Sequence, residues 1–309
     1  MKLFDAAATA AALPFDTLVP ALRSMFAQGC EVPPRQVLTI ESPGGPALTS
    51  LVMPAWVPGS YYGLKCINVA PGNAERGLPG LHASYLLHDA VTGVPLALID
   101  GGELTNRRTA AASALAASWL ARADARQLLV VGAGRVAALL PAAYRAVRPI
   151  TRVTVWARRL AAAEALATAW RARGFDAAAV PELAPAVAAA DIVSCATLAT
   201  APLVQGRWLA RGSHLDLIGS FTPAMREADD DCFRDATIFV DTEEALVKSG
   251  DLLGPMSRGV FAAGDVRGTL AALARGAAHG RGDGDERTVF KSVGTALEDL
   301  AAAIQVWQH

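Results

Sequence analysis

The stretch Leu128-Leu-Val-Val-Gly-Ala-Gly-Arg-Val-Ala137 limits the fold of this chain more than any other. It reads as a short buried strand, a glycine turn and the start of a helix. Gly132 permits the tight turn, and Gly134 lets a pyrophosphate approach the backbone. Ala137 takes the third small position, where helix and strand pack closely. The helix start offers free N–H groups and a positive dipole end to phosphates. Gly-x-Gly-x-x-Ala alone is a weak signal. Here it follows an apolar strand, and a second strand, Arg152-Val-Thr-Val-Trp156, comes about 20 residues later, which makes a dinucleotide site the expected reading. Contacts are expected from Gly132, Ala133, Gly134, Arg135, Val136 and Ala137, and from Ala196 and Thr197 past a later strand. The second strand ends in Trp156-Ala-Arg158-Arg159, with no acid for a ribose 2′-hydroxyl. Two guanidinium groups suit a 2′-phosphate, so NADPH is the expected cofactor, with NADH possible.

The 309 residues suggest about two domains. The pattern changes near residue 120. Before it lie β-like runs at Gln36–Ile40, Thr49–Met53, Leu64–Val69, Ala83–Leu87 and Pro95–Ile99, separated by turns rich in Pro, Gly and Asn. These imply a mostly antiparallel sheet. A helix is expected over Thr105–Leu120. After it, apolar runs at Leu128–Val131, Arg152–Trp156, Asp191–Ala196, His214–Ile218 and Thr237–Asp241 alternate with helical segments. That alternation implies a parallel sheet covered on both faces. The segment Val289–Val306 reads as helix. The fold class is therefore α/β: a Rossmann doubly wound sheet plus a mostly antiparallel α+β domain. The expected division is 1–118 with 288–309 for substrate and dimerisation, and 119–287 for the dinucleotide.

Hydrophobic residues make up 52% of the chain and charged residues 18%, with a formal net charge of -1. This excludes a disordered chain and argues against a nucleic-acid partner. The apolar excess is mostly alanine. Ser42–Leu64 is uncharged and long enough to span a bilayer, but Pro43, Gly44, Gly45, Pro46, Pro54, Pro58, Gly59 and Gly63 interrupt it. Lipid cannot satisfy so much broken backbone, so strands and turns are expected there, and no membrane partner. At the N-terminus, Asp5 precedes an alanine run, and Phe15, Leu18, Leu22 and Phe26 continue a helical period. One amphipathic helix capped by Asp5 is expected, not a secretory signal. Cys30, Cys66, Cys195 and Cys232 form no CxxC and no zinc-ligand spacing. Reduced thiols, no metal and a cytoplasmic location are expected.

Because charges are scarce, those in apolar settings stand out. Lys65 lies in the strand Gly-Leu-Lys-Cys-Ile-Asn-Val. Arg35 follows Pro33-Pro34 at a strand entry. Arg107 and Arg108 fall in the first turn of the Thr105 helix, where cations oppose the dipole unless an anion is bound. Taken singly, each also reads as an edge-strand or solvated residue.

Together these residues match a family. Lys65 in its strand, Pro71-Gly-Asn73, Leu104-Thr-x-x-Arg-Thr-Ala-Ala-Ala-Ser-Ala, Val131-Gly-Ala-Gly134 and Val289-Phe-Lys-Ser-Val-Gly-x-Ala-Leu-Glu-Asp299 recur in order. The chain resembles the ornithine cyclodeaminase/μ-crystallin family along essentially its whole length. The resemblance implies an N-terminal substrate domain completed by the C-terminal helix, a Rossmann domain and a homodimer. It implies that Arg35, Lys65 and Arg108 hold a substrate carboxylate, that Thr109 lies near the cofactor phosphates, and that Ser292 and Gly294 lie near the nicotinamide.

The departures sharpen the expectation. Cyclodeaminases of the family carry an aspartate where this chain has Phe221, and a glutamate just before the pair that is here Met53-Pro54. An aromatic ring cannot accept a proton. The stretch Gly-Ser-Phe-Thr-Pro-x-Met-Arg-Glu looks like members that reduce the cyclic imines Δ1-pyrroline-2-carboxylate and Δ1-piperideine-2-carboxylate to L-proline and L-pipecolate. The resemblance thus implies hydride transfer to the imine carbon, with Phe221 lining the ring pocket and the proton coming from Lys65 or a bound water. Three other functions stay open: an ornithine cyclodeaminase, an alanine-dehydrogenase-like oxidoreductase, and a non-catalytic NADPH or small-ligand binder.

Overall fold

Contacts within the chain divide it into two units, Met1–Arg108 with Thr295–His309, and Thr109–Gly294. The computed structural model describes residues 1–43 and 45–309, with Ala74 by its backbone alone; Gly44, one of the glycines expected in turns, lies outside the described residues.

Period-two burial builds the first unit. Its strands are β1 (Lys2–Phe4), β2 (Gln36–Ile40), β3 (Leu48–Trp56), β4 (Tyr61–Val69), β5 (Leu81–Asp89) and β6 (Pro95–Asp100). They form one sheet in the order β1-β6-β5-β4-β3-β2. All neighbours are antiparallel except β1, which runs parallel to β6. One face buries Met53, Ala55, Lys65, Tyr85, Leu87, Ala97 and Ile99. The C-terminal helix Ala296–Gln308 packs on β3 and β4. β4 lies between β3 and β5, so Lys65 is not on an edge strand. Its cross-strand partners are Met53 and Tyr85. Gly63 makes room on the same face, since a Cβ there would lie 1.8 Å from Tyr85 Oη.

The N-terminal segment departs from expectation. It forms two helices, α1 (Ala6–Ala12) and α2 (Phe15–Gln28), instead of one. Asp5 caps the first as expected, accepting from Ala8 N at 2.8 Å. Pro14 stands as N-cap of the second, and with no N–H it cannot carry the first helix onward.

Helix α3 (Gly101–Leu120) begins four residues earlier than expected. Asp100 caps it by accepting from Glu103 N at 2.7 Å. A Cβ on Gly101 would lie 2.7 Å from the backbone of Ala83 and Ser84, so only glycine starts a helix this close to β5. Arg107 and Arg108 therefore sit in the second turn, not the first. The dipole there is already weak, and the expected call for a bound anion lapses. Arg107 instead pairs with Glu103 at 2.7 Å and donates to Leu13 O at 3.1 Å.

The second unit holds β7 (Gln127–Val131), β8 (Arg152–Trp156), β9 (Asp176–Ala179), β10 (Ile192–Cys195), β11 (His214–Leu217), β12 (Ala236–Val240), β13 (Gly268–Thr269) and β14 (Arg287–Lys291). All pairings are parallel, in the order β13-β12-β14-β11-β10-β7-β8-β9. Helices α4 (Arg135–Arg145), α5 (Leu160–Arg171) and α6 (Leu183–Ala189) join the first strands. The core is aliphatic, with Leu129, Val131, Val193, Cys195, Leu215, Leu217 and Val289 among its buried members.

β14 corrects the expected Val289–Val306 helix. Thr288, Val289, Phe290 and Lys291 are all buried between β11 and β12, with ladders on both sides. The helix starts only after Gly294, whose φ of 78° no helix continues through. Contacts within the chain part the two units at 108/109 and 294/295. β14 belongs to the parallel sheet, and so does the far half of α3, through Ser113. Its Oγ donates to Asp216 Oδ1 at 3.1 Å.

Asp216 also receives Tyr144 Oη at 2.8 Å and Ser194 Oγ at 2.5 Å. Burial pushes its carboxyl up to about 6, although the three hydroxyls pull the other way. The folded state thus holds this proton more tightly than the unfolded chain. Its stabilising contribution is present at low pH and is lost as pH rises through about 6. Asp216→Asn removes the titration. Urea denaturation at pH 5 and pH 8 should show the wild type losing about 1 kcal/mol more than the variant over that interval.

Candidate active site

The strand order of the second unit reverses between β7 and β10. At such a switch point a crevice opens outside the carboxyl ends of the strands. Gly132 stands at the end of β7 with φ of 121°, and a Cβ there would lie 2.5 Å from Ala196 O at the end of β10. Both the backbone angle and the close approach demand glycine. Gly134 differs. A Cβ there would meet nothing within 4 Å, and its φ of -86° suits any residue. The chain's own packing does not explain this glycine, whereas the close approach of a phosphate does. Gly134 is also the N-cap of α4 and has no side chain to satisfy the first N–H groups. A pyrophosphate therefore fits here.

The other expected cofactor residues all belong to the second unit. Ala133 and Arg135 are exposed, Val136 is half-buried and Ala137 is buried against the sheet. Arg158 and Arg159 are exposed just past β8. Ala196 and Thr197 are half-buried just past β10, and Thr109 is half-buried on α3. Ser292 is buried past β14, its N–H donating to Leu217 O at 3.1 Å.

Two buried carboxylates that the sequence reading did not assign hold the loops of this edge. Glu227 accepts from Thr197 N, Thr197 Oγ1 and Gly219 N, each at 2.7 Å. Asp241 accepts from Thr242 N and Val293 N at 2.7 Å and from Gly294 N at 2.6 Å. The loops after β10, β11, β12 and β14 are tied in this way. Burial pushes the Glu227 carboxyl up to about 7, opposed by the charge of Lys291. Lys291, itself buried, donates to Leu217 O at 2.9 Å. Phe221 lies in the loop after β11 and is 48% exposed.

The first unit contains the other cluster. Lys65 is wholly buried, with Nζ 2.5 Å from Asp299 Oδ2. Arg108 Nε donates to Asp299 Oδ1 at 2.9 Å, and Arg108 Nη1 to Glu298 Oε2 at 2.6 Å. Glu298 and Asp299 lie in the first turn of the C-terminal helix, where the dipole favours negative charge. Burial, and then Arg108, lower the Lys65 ammonium to about 8, against the opposing pull of Asp299 and Glu298. Of the expected substrate residues, Lys65 and Arg108 are brought together on one carboxylate. Arg35 is half-buried in the same unit, at the entry to β2. In the sequence, Glu298 and Asp299 stand only as the last letters of the C-terminal motif. Two acids in the first turn of an otherwise apolar helix were the available signal.

Comparison with known proteins fits this geometry. The model of the ornithine cyclodeaminase/mu-crystallin family matches residues 13–309. This chain belongs to that family. Among family relatives, a Δ1-pyrroline-2-carboxylate reductase of Paracoccus denitrificans is 45% identical over 278 residues, covering 89% of this chain and 88% of its own. The solved structure of Thermococcus litoralis Δ1-pyrroline-2-carboxylate reductase, in complex with NADH and L-proline, superposes with a TM-score of 0.92 at 30% identity. That match covers 100% of this chain and 97% of the other. An archaeal alanine dehydrogenase dimer with bound NAD gives 0.90 at 30% identity, covering 100% and 95%.

The two glycines predict different outcomes. Gly132→Ala should destabilise the protein itself, visible as a lower melting temperature without ligand. Gly134→Ala should leave the ligand-free melting temperature within a few degrees of wild type. It should weaken binding of NADH or NADPH roughly tenfold or more, by blocking a phosphate contact. Cofactor titration by fluorescence quenching checks the second outcome.

Proposed function

We propose that this protein is an NAD(P)H-dependent oxidoreductase that reduces a cyclic ketimine carboxylate, Δ1-pyrroline-2-carboxylate or Δ1-piperideine-2-carboxylate, to the cyclic amino acid. The observation that carries this reading is Lys65, an ammonium wholly buried on an apolar sheet face and brought down to about 8. Reducing a C=N bond needs a hydride at carbon and a proton at nitrogen. The nicotinamide cofactor supplies the hydride. Lys65 supplies the proton from a pKa near working pH, as general acid catalysis favours. Arg35 and Arg108 bind the substrate carboxylate alongside it, and Phe221 stands where a cyclodeaminase would need a base. The relatives named as Δ1-pyrroline-2-carboxylate reductases support this choice of substrate.

In this reading the second unit holds the cofactor through residues 132–137, with Thr109, Ala196, Thr197 and Ser292 as further contacts. Arg158 and Arg159 bind a 2′-phosphate, which makes NADPH the preferred donor. The first unit holds the substrate and the dimer face. Edge strand β2 supports a homodimer, since Val37, Leu38 and Ile40 are 61%, 47% and 52% exposed. Among the described residues no helix is long and apolar enough to cross a membrane, and the four cysteines are free thiols. We assign the protein to the cytoplasm. An alanine-dehydrogenase activity is the second reading, favoured by the likeness to the archaeal alanine dehydrogenase.

Substrate trials separate these readings. Oxidation of NADPH is expected with either cyclic imine, little with pyruvate plus ammonia, and no ammonia release from ornithine. The reverse preference would establish the second reading. kcat/KM for the imine should fall as pH rises through about 8, because the protonated form of Lys65 is the donor. Lys65→Met should lower kcat roughly 100-fold or more with cofactor affinity unchanged. Replacing both Arg158 and Arg159 by Ala should raise the KM for NADPH about tenfold and leave that for NADH nearly unchanged.

A further inference from the structure

We propose that Asp299 is a positioning residue for this reaction: one carboxylate, spanning two buried cations, fixes the Lys65 ammonium in place and keeps it charged for proton delivery. The proposal rests on the reading of Lys65 as the proton donor. Asp299 uses its two oxygens on two different partners. Oδ2 lies 2.5 Å from Lys65 Nζ, and Oδ1 accepts from Arg108 Nε at 2.9 Å. The second contact stops the carboxylate from rotating away from the first. Glu298 in turn holds the far side of Arg108, through Nη1 at 2.6 Å. All four side chains are at least nine-tenths buried.

Among the described residues Lys65 Nζ finds no well-aligned hydrogen-bond acceptor, the Asp299 contact being an ion pair of poor angle. A buried ammonium with donors to spare points to a ligand that takes them. The groups facing Lys65 are few. The C-terminal helix brings Asp299 and Glu298, α3 brings Arg108, β5 brings the buried Tyr85 phenol, and β3 brings Met53, which carries no charge. Burial and Arg108 favour the neutral amine, whereas Asp299 and, more weakly, Glu298 favour the ammonium. With Asp299 neutral, the balance moves towards the amine. A neutral amine cannot act as the acid.

The test is the pH profile of kcat/KM for cyclic imine reduction, with NADPH saturating, for wild type, Lys65→Met, Asp299→Asn and Asp299→Glu. The wild-type alkaline limb is expected near pH 8, and Lys65→Met should lack it. Asp299→Asn should move the limb down by roughly 1–3 pH units, the effect of losing one close opposite charge. Its activity should recover as pH is lowered. Asp299→Glu keeps the charge on a longer arm, so its limb should stay near the wild-type position while kcat falls. Cofactor titration confirms that each variant is folded. An Asp299→Asn limb that stays near pH 8 overturns the proposal while leaving Lys65 as donor. A wild-type limb that survives in Lys65→Met overturns the reading of Lys65 itself. If Asp299→Asn does not fold, a limb in Asp299→Glu displaced as far as a lost charge would displace it overturns the proposal, and a limb held near pH 8 supports it.

Discussion

An ammonium on the buried face of a sheet is tolerable only where a carboxylate is delivered to it. In the first unit Lys65 occupies a position that period-two burial reserves for an apolar residue, beside Met53 and Tyr85. The C-terminal helix answers that charge, and it does so with its first turn, where acids are favoured by the dipole. Removing one partner from such a buried pair costs about 3–5 kcal/mol, because the other charge is left stranded. The helix is therefore more than a cover for β3 and β4. It carries the counter-charge that allows Lys65 to be there at all.

The second unit solves a different problem. Its loops emerge from the carboxyl ends of parallel strands, and backbone N–H groups there have lost their ladder partners. Glu227 and Asp241 each accept three donors at once, from residues far apart in the chain. Loops held this way keep their shape without a ligand. The loops after β10, β11, β12 and β14 thus form a prearranged edge, as expected where binding should not have to order the protein first.

Much of this was legible in the residues. The strand–glycine–helix pattern at 128–137 identified the parallel unit, and the interior lysine at 65 identified the polar cluster. What escaped did so for physical reasons. β9 is Asp-Ala-Ala-Ala, whose composition favours helix, and only its place beside β8 makes it a strand. β14 was hidden because its strand and the following helix form one unbroken motif in sequence. The helix start at Gly101 depends on how closely β5 passes, which is a tertiary fact. Glu227, Asp241, Glu298 and Asp299 escaped because a buried acid and a solvated acid share the same letter. Only packing separates them.

The pairing of Arg108 with Asp299 joins residues 191 positions apart in the chain. During synthesis, the sheet that carries Lys65 leaves the ribosome first, and the whole parallel unit follows before residues 295–309 appear. Until then, the face meant for the C-terminal helix lacks both its apolar cover and its counter-ions. The parallel unit, made of consecutive residues, has no such wait. The first sheet made is thus the one whose cover and counter-charge are made last.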